Sequence, residues 1–373
     1  MSDRGLAHPL PRVWAVLCYR AGENSQILAL AEALEFPYEI KRLSYRPGGR
    51  IFDVWRGSNR LGIRPGRSSP LQPPWPDLII SAGMRNEPVC RWIRKRSGGR
   101  TRYVHIGKPW GRLEDFDLVV TVPEYPLPDA PNLHRNRLSL HRITPARLRA
   151  AAREWEPQFG HLPRPWIALL AGGYSGPYPF TPEQAATLAR SVSERARSRG
   201  GALLVTTSAR TSARAARALR EALTAPHHFH DWRGQGPNPY LGYLALADEI
   251  VVTCDSATML AEACATGRPV YMFDLEWRNP RLPLVRAPRW YDPDILRAWL
   301  YRRIMWPMAP ARITRDIRVV HRFLRESGRA VWLGEEFRVP PAPPLDEMAA
   351  TVRRIRELLG VTPRMCASRT SAA

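Results

Sequence analysis

One alternation narrows the possible folds of this chain more than any other feature, and it runs through the sequence twice. A short apolar run gives way to a turn of small or polar residues, and a helix-like stretch follows. VWAVLCY at 13–19 leads through a polar turn into QILALAEAL. PDLIISAG at 76–83 leads into VCRWIRKR, then TRYVHIG at 101–107 and FDLVVT at 116–121. Short unbroken apolar runs bounded by turn residues read as buried strands, and strands alternating with helices build parallel sheets.

After a helix-like stretch at 146–159 (ARLRAAAREWEPQF) the pattern restarts. Strand 166–170 ends in Ala171-Gly172-Gly173, and strand 202–206 ends in Thr207-Ser208. Strand 250–253 runs into Asp255-Ser256 and a helix through Ala265, before strand 269–273. The expected fold class is α/β: two Rossmann-like, doubly wound parallel-sheet domains facing across a cleft, with ligands at the C-terminal strand ends. The 373 residues suit two domains, placed at 1–155 and 156–340. An amphipathic helix within 341–360 is expected to pack across the hinge, and 361–373 to fray. The Arg/Gly/Pro/Ser-rich stretch 44–76 reads as a long solvated loop.

Basic residues number 56 against 34 acidic, a formal charge of +22, and only Lys41, Lys95 and Lys108 among the 56 are lysines. Codon usage in a GC-rich genome accounts for arginine over lysine but not for the excess of charge, which should attract an anionic partner. Nucleic acid is not expected, because no zinc-finger spacing, RNP signature or unbroken basic helix is present. Anionic lipid headgroups and a phosphorylated substrate remain. The apolar runs fall far short of the roughly 20 residues that cross a bilayer. MSDRGLAHPLPR has no charged-then-apolar leader, so a cytoplasmic location is expected. Five scattered cysteines fit reduced thiols. The Arg/Trp-interleaved stretch 277–306 reads equally as an anionic-membrane face or as an Arg-rich surface over half-buried tryptophans.

Chemistry concentrates at strand ends. Asp255-Ser256-Ala257-Thr258-Met259 joins a strand to a helix whose first amides would suit a phosphate; the plain alternative is that Ser256 only caps the helix. Glu262, nearly two turns on, would reach a ribose if it faces the cleft, and is otherwise a solvated helix residue. Gly172-Gly173 permits close backbone approach. Thr207, Ser208 and Arg210 form a hydroxyl-rich end with a planar cation suited to a diphosphate. Asn238 lies in the polar loop before the 240–248 helix. In the first half, Gly22-Glu23-Asn24-Ser25-Gln26 offers a carboxylate and two amides at the first strand end. Phosphate-loop, nucleophile-elbow and zinc-protease motifs are missing.

Taken in order, GENSQ before LALAEAL, PDLIISAG, FDLVVTVPEY, LHRITPARL, LLAGG, LLVTTSART, GPNPYLGYLALADEIVVT and DSATMLAEACATGRPVY resemble the plant mitochondrial-fission factor family and its bacterial relatives, over roughly 13–274. Ser25 departs from that family's Glu-Asn-Gln turn, and the likeness ends after Phe273. Members are described as glycosyltransferases of the two-Rossmann GT-B type, and the plant proteins as organelle-surface fission factors. Asp255–Met259 is also similar to the donor-phosphate motif of lipopolysaccharide heptosyltransferases.

The resemblance implies a GT-B-like enzyme that moves a sugar from a nucleotide-diphosphate donor to a cell-envelope glycolipid or lipopolysaccharide precursor. The donor half would use Gly172, Gly173, Thr207, Ser208, Arg210, Asn238, Asp255, Ser256, Ala257, Thr258, Met259 and Glu262, with no metal and no cofactor beyond the nucleotide sugar as co-substrate. Glu23, on the acceptor half, is the expected base. The charge implies peripheral docking on the inner face of an anionic membrane. The rival is a non-catalytic, membrane-associated scaffold of degenerate GT-B fold.

Overall fold

The computed structural model describes residues 10–46, 57–176, 178–275, 315–338 and 340–361, together with Leu296 and Leu300. Most of the Arg/Trp stretch 277–306 and the tail beyond 361 lie outside the described residues. Among those residues the chain forms two units, one of Met1–Arg142 with Asp346–Ala373, the other of Ile143–Leu345. Each holds one six-stranded sheet, and every strand pair in both is parallel.

The first sheet has the order β2-β1-β3-β4-β5-β6. Its strands are β1 (Val13–Leu17), β2 (Tyr38–Arg42), β3 (Leu78–Ala82), β4 (Arg102–Ile106), β5 (Leu118–Thr121) and β6 (Leu133–Arg135). Successive side chains of a strand point to opposite faces, and β1 uses both. Val13, Ala15 and Leu17 join Ile27, Leu30 and Leu34 on the face covered by helix α1 (Ala21–Ala33). Trp14 and Val16 join Val89, Cys90 and Ile93 of helix α2 (Glu87–Arg96) on the other. Both faces are therefore buried, which explains why these strands read as unbroken apolar runs.

Two expectations shift in this unit. The stretch 57–75 is not simply a solvated loop. Ile63 is buried, and Trp75 meets Trp14 at 6.0 Å and Trp92 at 5.8 Å, closing the second face of the sheet. The late helix, Glu347–Leu358, is seated in this unit. Its fully buried Ile355 lies in the α1-side core, Thr351 hydrogen-bonds Asn136, and Glu347 accepts the amides of Arg137 and Leu138 at 2.6 and 2.8 Å.

The second sheet has the order β12-β11-β10-β7-β8-β9, with β7 (Trp166–Leu170), β8 (Ala202–Thr206), β9 (His227–His230), β10 (Glu249–Thr253), β11 (Val270–Phe273) and β12 (Val331–Trp332). Counted from β7, this is the 3-2-1-4-5-6 order of the Rossmann sheet, whose reversal point falls between β7 and β10. Its helices are α3 (Pro145–Phe159), α4 (Pro182–Ser198), α5 (Ala213–Glu221), α6 (Tyr240–Leu246), α7 (Ala257–Cys264) and α8 (Arg318–Glu326), and the helix Glu347–Leu358 of the first unit is α9. Helix α3 straddles the boundary expected at 155, and the second unit begins before it, at Ile143. Its Phe159 packs 6.3 Å from Trp166 and 5.4 Å from Tyr243, and Trp155 covers Gly242 so closely that an added Cβ there would lie 2.4 Å from the indole.

Candidate functional site

At the β7/β10 reversal point two strand ends and one loop are laced together by buried hydroxyls and one buried carboxylate. Gly172 donates its amide to the Thr253 hydroxyl at 2.7 Å, and Thr253 donates to Asp255 at 2.7 Å. Gly173 donates to the other Asp255 oxygen at 3.1 Å, and Arg210 pairs with that oxygen at 2.8 Å. Asp255 is fully buried. Thr211, also fully buried, donates to the carbonyl of Gly172.

The glycines are there for space. A Cβ on Gly172 would fall 2.3 Å from the Asp255 carboxylate, and one on Gly173 would fall 2.1 Å from the backbone of Arg210. This departs from what the sequence suggests, since the Gly172 and Gly173 amides serve Thr253 and Asp255. The Asp255 carboxylate stands where an anionic ligand was expected, and it needs Arg210 because a buried charge without a partner is costly. Arg210 also donates to the Tyr174 carbonyl at 3.2 Å, and its side chain stays 38% exposed.

The neighbouring residues divide in the same way. Thr207 accepts the Trp232 amide at 2.9 Å, and Ser208 accepts the Arg210 amide at 3.3 Å, so both hold loops in place. Exposed Asn238 accepts the Tyr240 amide at 3.0 Å and turns the chain into α6. Ser256 caps α7 by accepting the Met259 amide at 3.4 Å. The amides of Ala257 and Thr258 belong to the first turn of α7, where no intrahelical acceptor exists. Glu262 is not a solvated helix residue; it is buried and accepts the Tyr240 hydroxyl at 2.5 Å. Burial and the Glu262 charge push the Tyr240 phenol well above its ordinary range.

Behind this lattice, buried His321 of α8 places Nε2 2.7 Å from the Cys254 carbonyl, which requires the proton on that nitrogen. Burial pulls the imidazole down to about 4, so it stays neutral. Thr211 and Thr253 stand inside strand ends that the sequence singles out, without a role of their own there, and His321 escaped the sequence reading. The hydroxyl-rich TTSART and VVTCDS ends signalled the first two; nothing local signalled His321.

In the first unit, Glu23 opens α1. It pairs with Arg20 at 3.0 Å and accepts the Cys18 thiol at 3.0 Å, and a Cβ on Gly83 would lie 2.8 Å from it. Asn24 exchanges two hydrogen bonds with the Cys18 backbone, at 2.8 and 3.0 Å, which fixes the turn. Burial and the Glu23 charge push the Cys18 thiol far up. Asp115-Phe116-Asp117 has the Asp-x-Asp spacing used by metal-holding transferases, but Asp115 pairs with Arg91 while Asp117 takes Arg94, Arg102 and the Tyr103 amide. Among the described residues no group of three His, Cys, Asp or Glu side chains is placed to hold a metal ion, and no helix is long and apolar enough to cross a membrane.

The fold and this lattice define a two-unit parallel α/β protein with a Rossmann-ordered sheet whose reversal point carries a helix N-terminus and an arginine. The chain belongs to the Mitochondrial fission ELM1 family, whose profile matches residues 21–287. It is 30% identical over 219 residues to the Mitochondrial fission protein ELM1 of Arabidopsis thaliana, a match covering 53% of this chain and 51% of that one. The chain thus spans about half the length of the plant relative. It is 23% identical over 296 residues to Uncharacterized protein RP120 of Rickettsia prowazekii (strain Madrid E), covering 70% of this chain and 82% of that one.

Among solved structures it overlaps UDP-GlcNAc 2-epimerase from Neisseria meningitidis (TM-score 0.42, 11% identity, 70% of this chain and 82% of that one). It also overlaps MurG from Acinetobacter baumannii (0.39, 11%, 93% and 99%) and ADP-heptose lps heptosyltransferase II from E. coli (0.41, 13%, 70% and 84%). Overlaps of this size carry no argument about function.

Proposed function

We propose that the protein is a glycosyltransferase of GT-B type, which takes a sugar from a nucleoside-diphosphate donor and gives it to a cell-envelope glycolipid or lipopolysaccharide precursor. One observation carries this reading. The second sheet has the Rossmann order, and at its reversal point stand the first-turn amides of Ala257 and Thr258 together with half-exposed Arg210. Ligands of open α/β sheets bind at such points, and helix N-termini favour phosphate. In the transfer the anomeric carbon–oxygen bond to the diphosphate breaks as the acceptor oxygen bonds to that carbon. The acceptor proton needs a base, the role proposed for Glu23 of the first unit; within the second unit the charge growing on the diphosphate is stabilised by the α7 amides and Arg210. Asp255 then holds Arg210 in place, and Glu262, set by Tyr240, faces the ribose.

Calorimetry with UDP, ADP, GDP, CDP and dTDP tests the donor site, and at least one should bind. Thr258→Asp, which puts a like charge at the α7 N-terminus, should weaken it by roughly ten-fold. No binding by any of the five to folded protein overturns the reading. A second reading is favoured by one observation: Asp255 already occupies the Gly173 amide and Arg210, as in a scaffold whose anion site is closed. That reading requires silence across the whole panel.

A further inference from the structure

Four histidines gather where strand β9 meets the helices of the second unit. β9 contributes His227, His228 and His230, and His161 follows α3. β9 stands at the edge of its sheet, with β8 on one side, so side chains carry more of its attachment than they do for a central strand. The His228 ring lies 5.0 Å from Phe159 of α3 and 5.9 Å from Tyr243 of α6, and its Nδ1 stands 2.5 Å from the Tyr243 hydroxyl. Tyr243 is fully buried, and burial pushes its phenol up, so it keeps its proton and donates. Among the described residues His228 Nδ1 is the one acceptor this hydroxyl meets. The bond requires a bare Nδ1, hence a neutral imidazole with its proton on Nε2.

Protonation reverses this bond. Nδ1 becomes a donor, Tyr243 must accept, and the phenol proton is left without a partner in a buried site, which is costly. The surroundings bear on the pH at which this happens. Burial pulls His228 below its ordinary 6.5, and the charges of His230, His161 and His227 pull the same way. β8 sets apolar Leu204 beside it. Burial lowers His230 too, with Asp231 acting in the opposite direction. Arg220 of α5 lies 4.4 Å from the ring of Phe229, on the other face of the strand. With its folded value below the unfolded one, His228 holds the bond in full above pH 6.5 and loses it as the pH falls through the folded value.

What the bond fastens is α6. This seven-residue helix carries Tyr240 at its start, donating to Glu262 of α7, and Tyr243 one turn on, donating to His228 of β9. We infer that His228 and Tyr243 form an acid-released clasp between β9 and α6, and that its release loosens the hold of Tyr240 on Glu262. The clasp stands on its own. Its consequence, weaker nucleoside-diphosphate binding in acid, rests on the transferase reading, in which Glu262 faces the ribose.

Hydrogen exchange of the full chain at about pH 7.5 and about pH 5.5, expressed as protection factors so that the intrinsic pH effect drops out, tests the clasp. Protection of β9 and α6 should fall by roughly ten-fold at the lower pH, while β7 and β10 keep theirs. Tyr243→Phe removes the donor and nearly preserves shape, so α6 should lose the pH response and stay protected at both values. His228→Phe keeps a ring against Phe159 but leaves the hydroxyl unanswered, so α6 should be loose at both. Should His228→Phe fail to fold, Tyr243→Phe still decides. The same wild-type protection at the two pH values, or a full pH response in Tyr243→Phe, overturns the clasp.

Calorimetry with the five nucleoside diphosphates at the same two pH values reads the consequence. Binding should weaken by roughly ten-fold in acid for wild type, and less for Tyr243→Phe. Weakening of equal size in both proteins reports the ligand's own phosphate and overturns the link to Glu262. The exchange response without nucleotide binding at either pH overturns the transferase reading and leaves the clasp standing.

Discussion

Glu87 and His105 lie 3.7 Å apart, both side chains fully buried, and burial moves them in opposite directions. Glu87 is lifted to about 7 from 4.5 and His105 is lowered to about 4 from 6.5. For Glu87 the folded value exceeds the unfolded one, so its contribution to stability is whole below pH 4.5 and is lost as the pH rises through 7. For His105 the contribution is present above pH 6.5 and is lost as the pH falls through 4. The two slopes oppose each other in the native protein. Glu87→Gln removes the first, so the variant should gain about 3 kcal/mol on wild type between about pH 4 and about pH 8 in chemical denaturation. A pH-independent difference would mean an ordinary carboxyl. On the proposed transferase reading, Glu23→Gln should abolish sugar transfer and leave nucleotide binding intact; near-normal turnover would remove Glu23 from the chemistry. At this scale the sequence showed which residue types gather at the strand ends, but not their partners. Asp255 reads as one of the donor-binding residues in DSAT, and only the 2.8 Å pair with Arg210 and its complete burial show that it answers an internal charge.

Strands and helices were the most legible level, because a sheet buried on both faces writes itself as short apolar runs. VWAVL, LIISA, WIALL and EIVVT are each fully buried five-residue strands. Two-residue β12 (Val331–Trp332) is too short to leave any periodicity. The packing of 57–75 was illegible for another reason: Trp75 finds Trp14 and Trp92 through tertiary contact, while its surroundings of proline and serine look like loop. Contacts between helices are equally invisible locally. Gly242 in α6 lies under Trp155 of α3, so Gly242→Ala should cost about 1–3 kcal/mol by overpacking, read as a lower denaturation midpoint. An unchanged midpoint would show that the indole moves aside freely.

For the whole molecule, the membrane docking expected from the formal +22 predicts salt-sensitive recovery with anionic but not neutral vesicles, weakened by neutralising Arg297, Arg302 and Arg303, which lie outside the described residues. Equal recovery with both kinds of vesicle, or none with either, would leave the charge to codon usage. Removing α9 by ending the chain at Leu345 should expose the core face that Ile355 covers and destabilise the first unit, while the second keeps its circular-dichroism melt. An unaltered first transition would mean that α9 only decorates the surface. The seat of α9 also bears on how the protein comes into being. All of Ile143–Leu345 is translated between Arg142 and the helix that completes the first unit's core, which at ordinary synthesis rates takes on the order of tens of seconds. For that interval the nascent first unit shows the ribosome-bound chaperones an uncovered apolar face, and the second, later in sequence, is the one that can finish folding first.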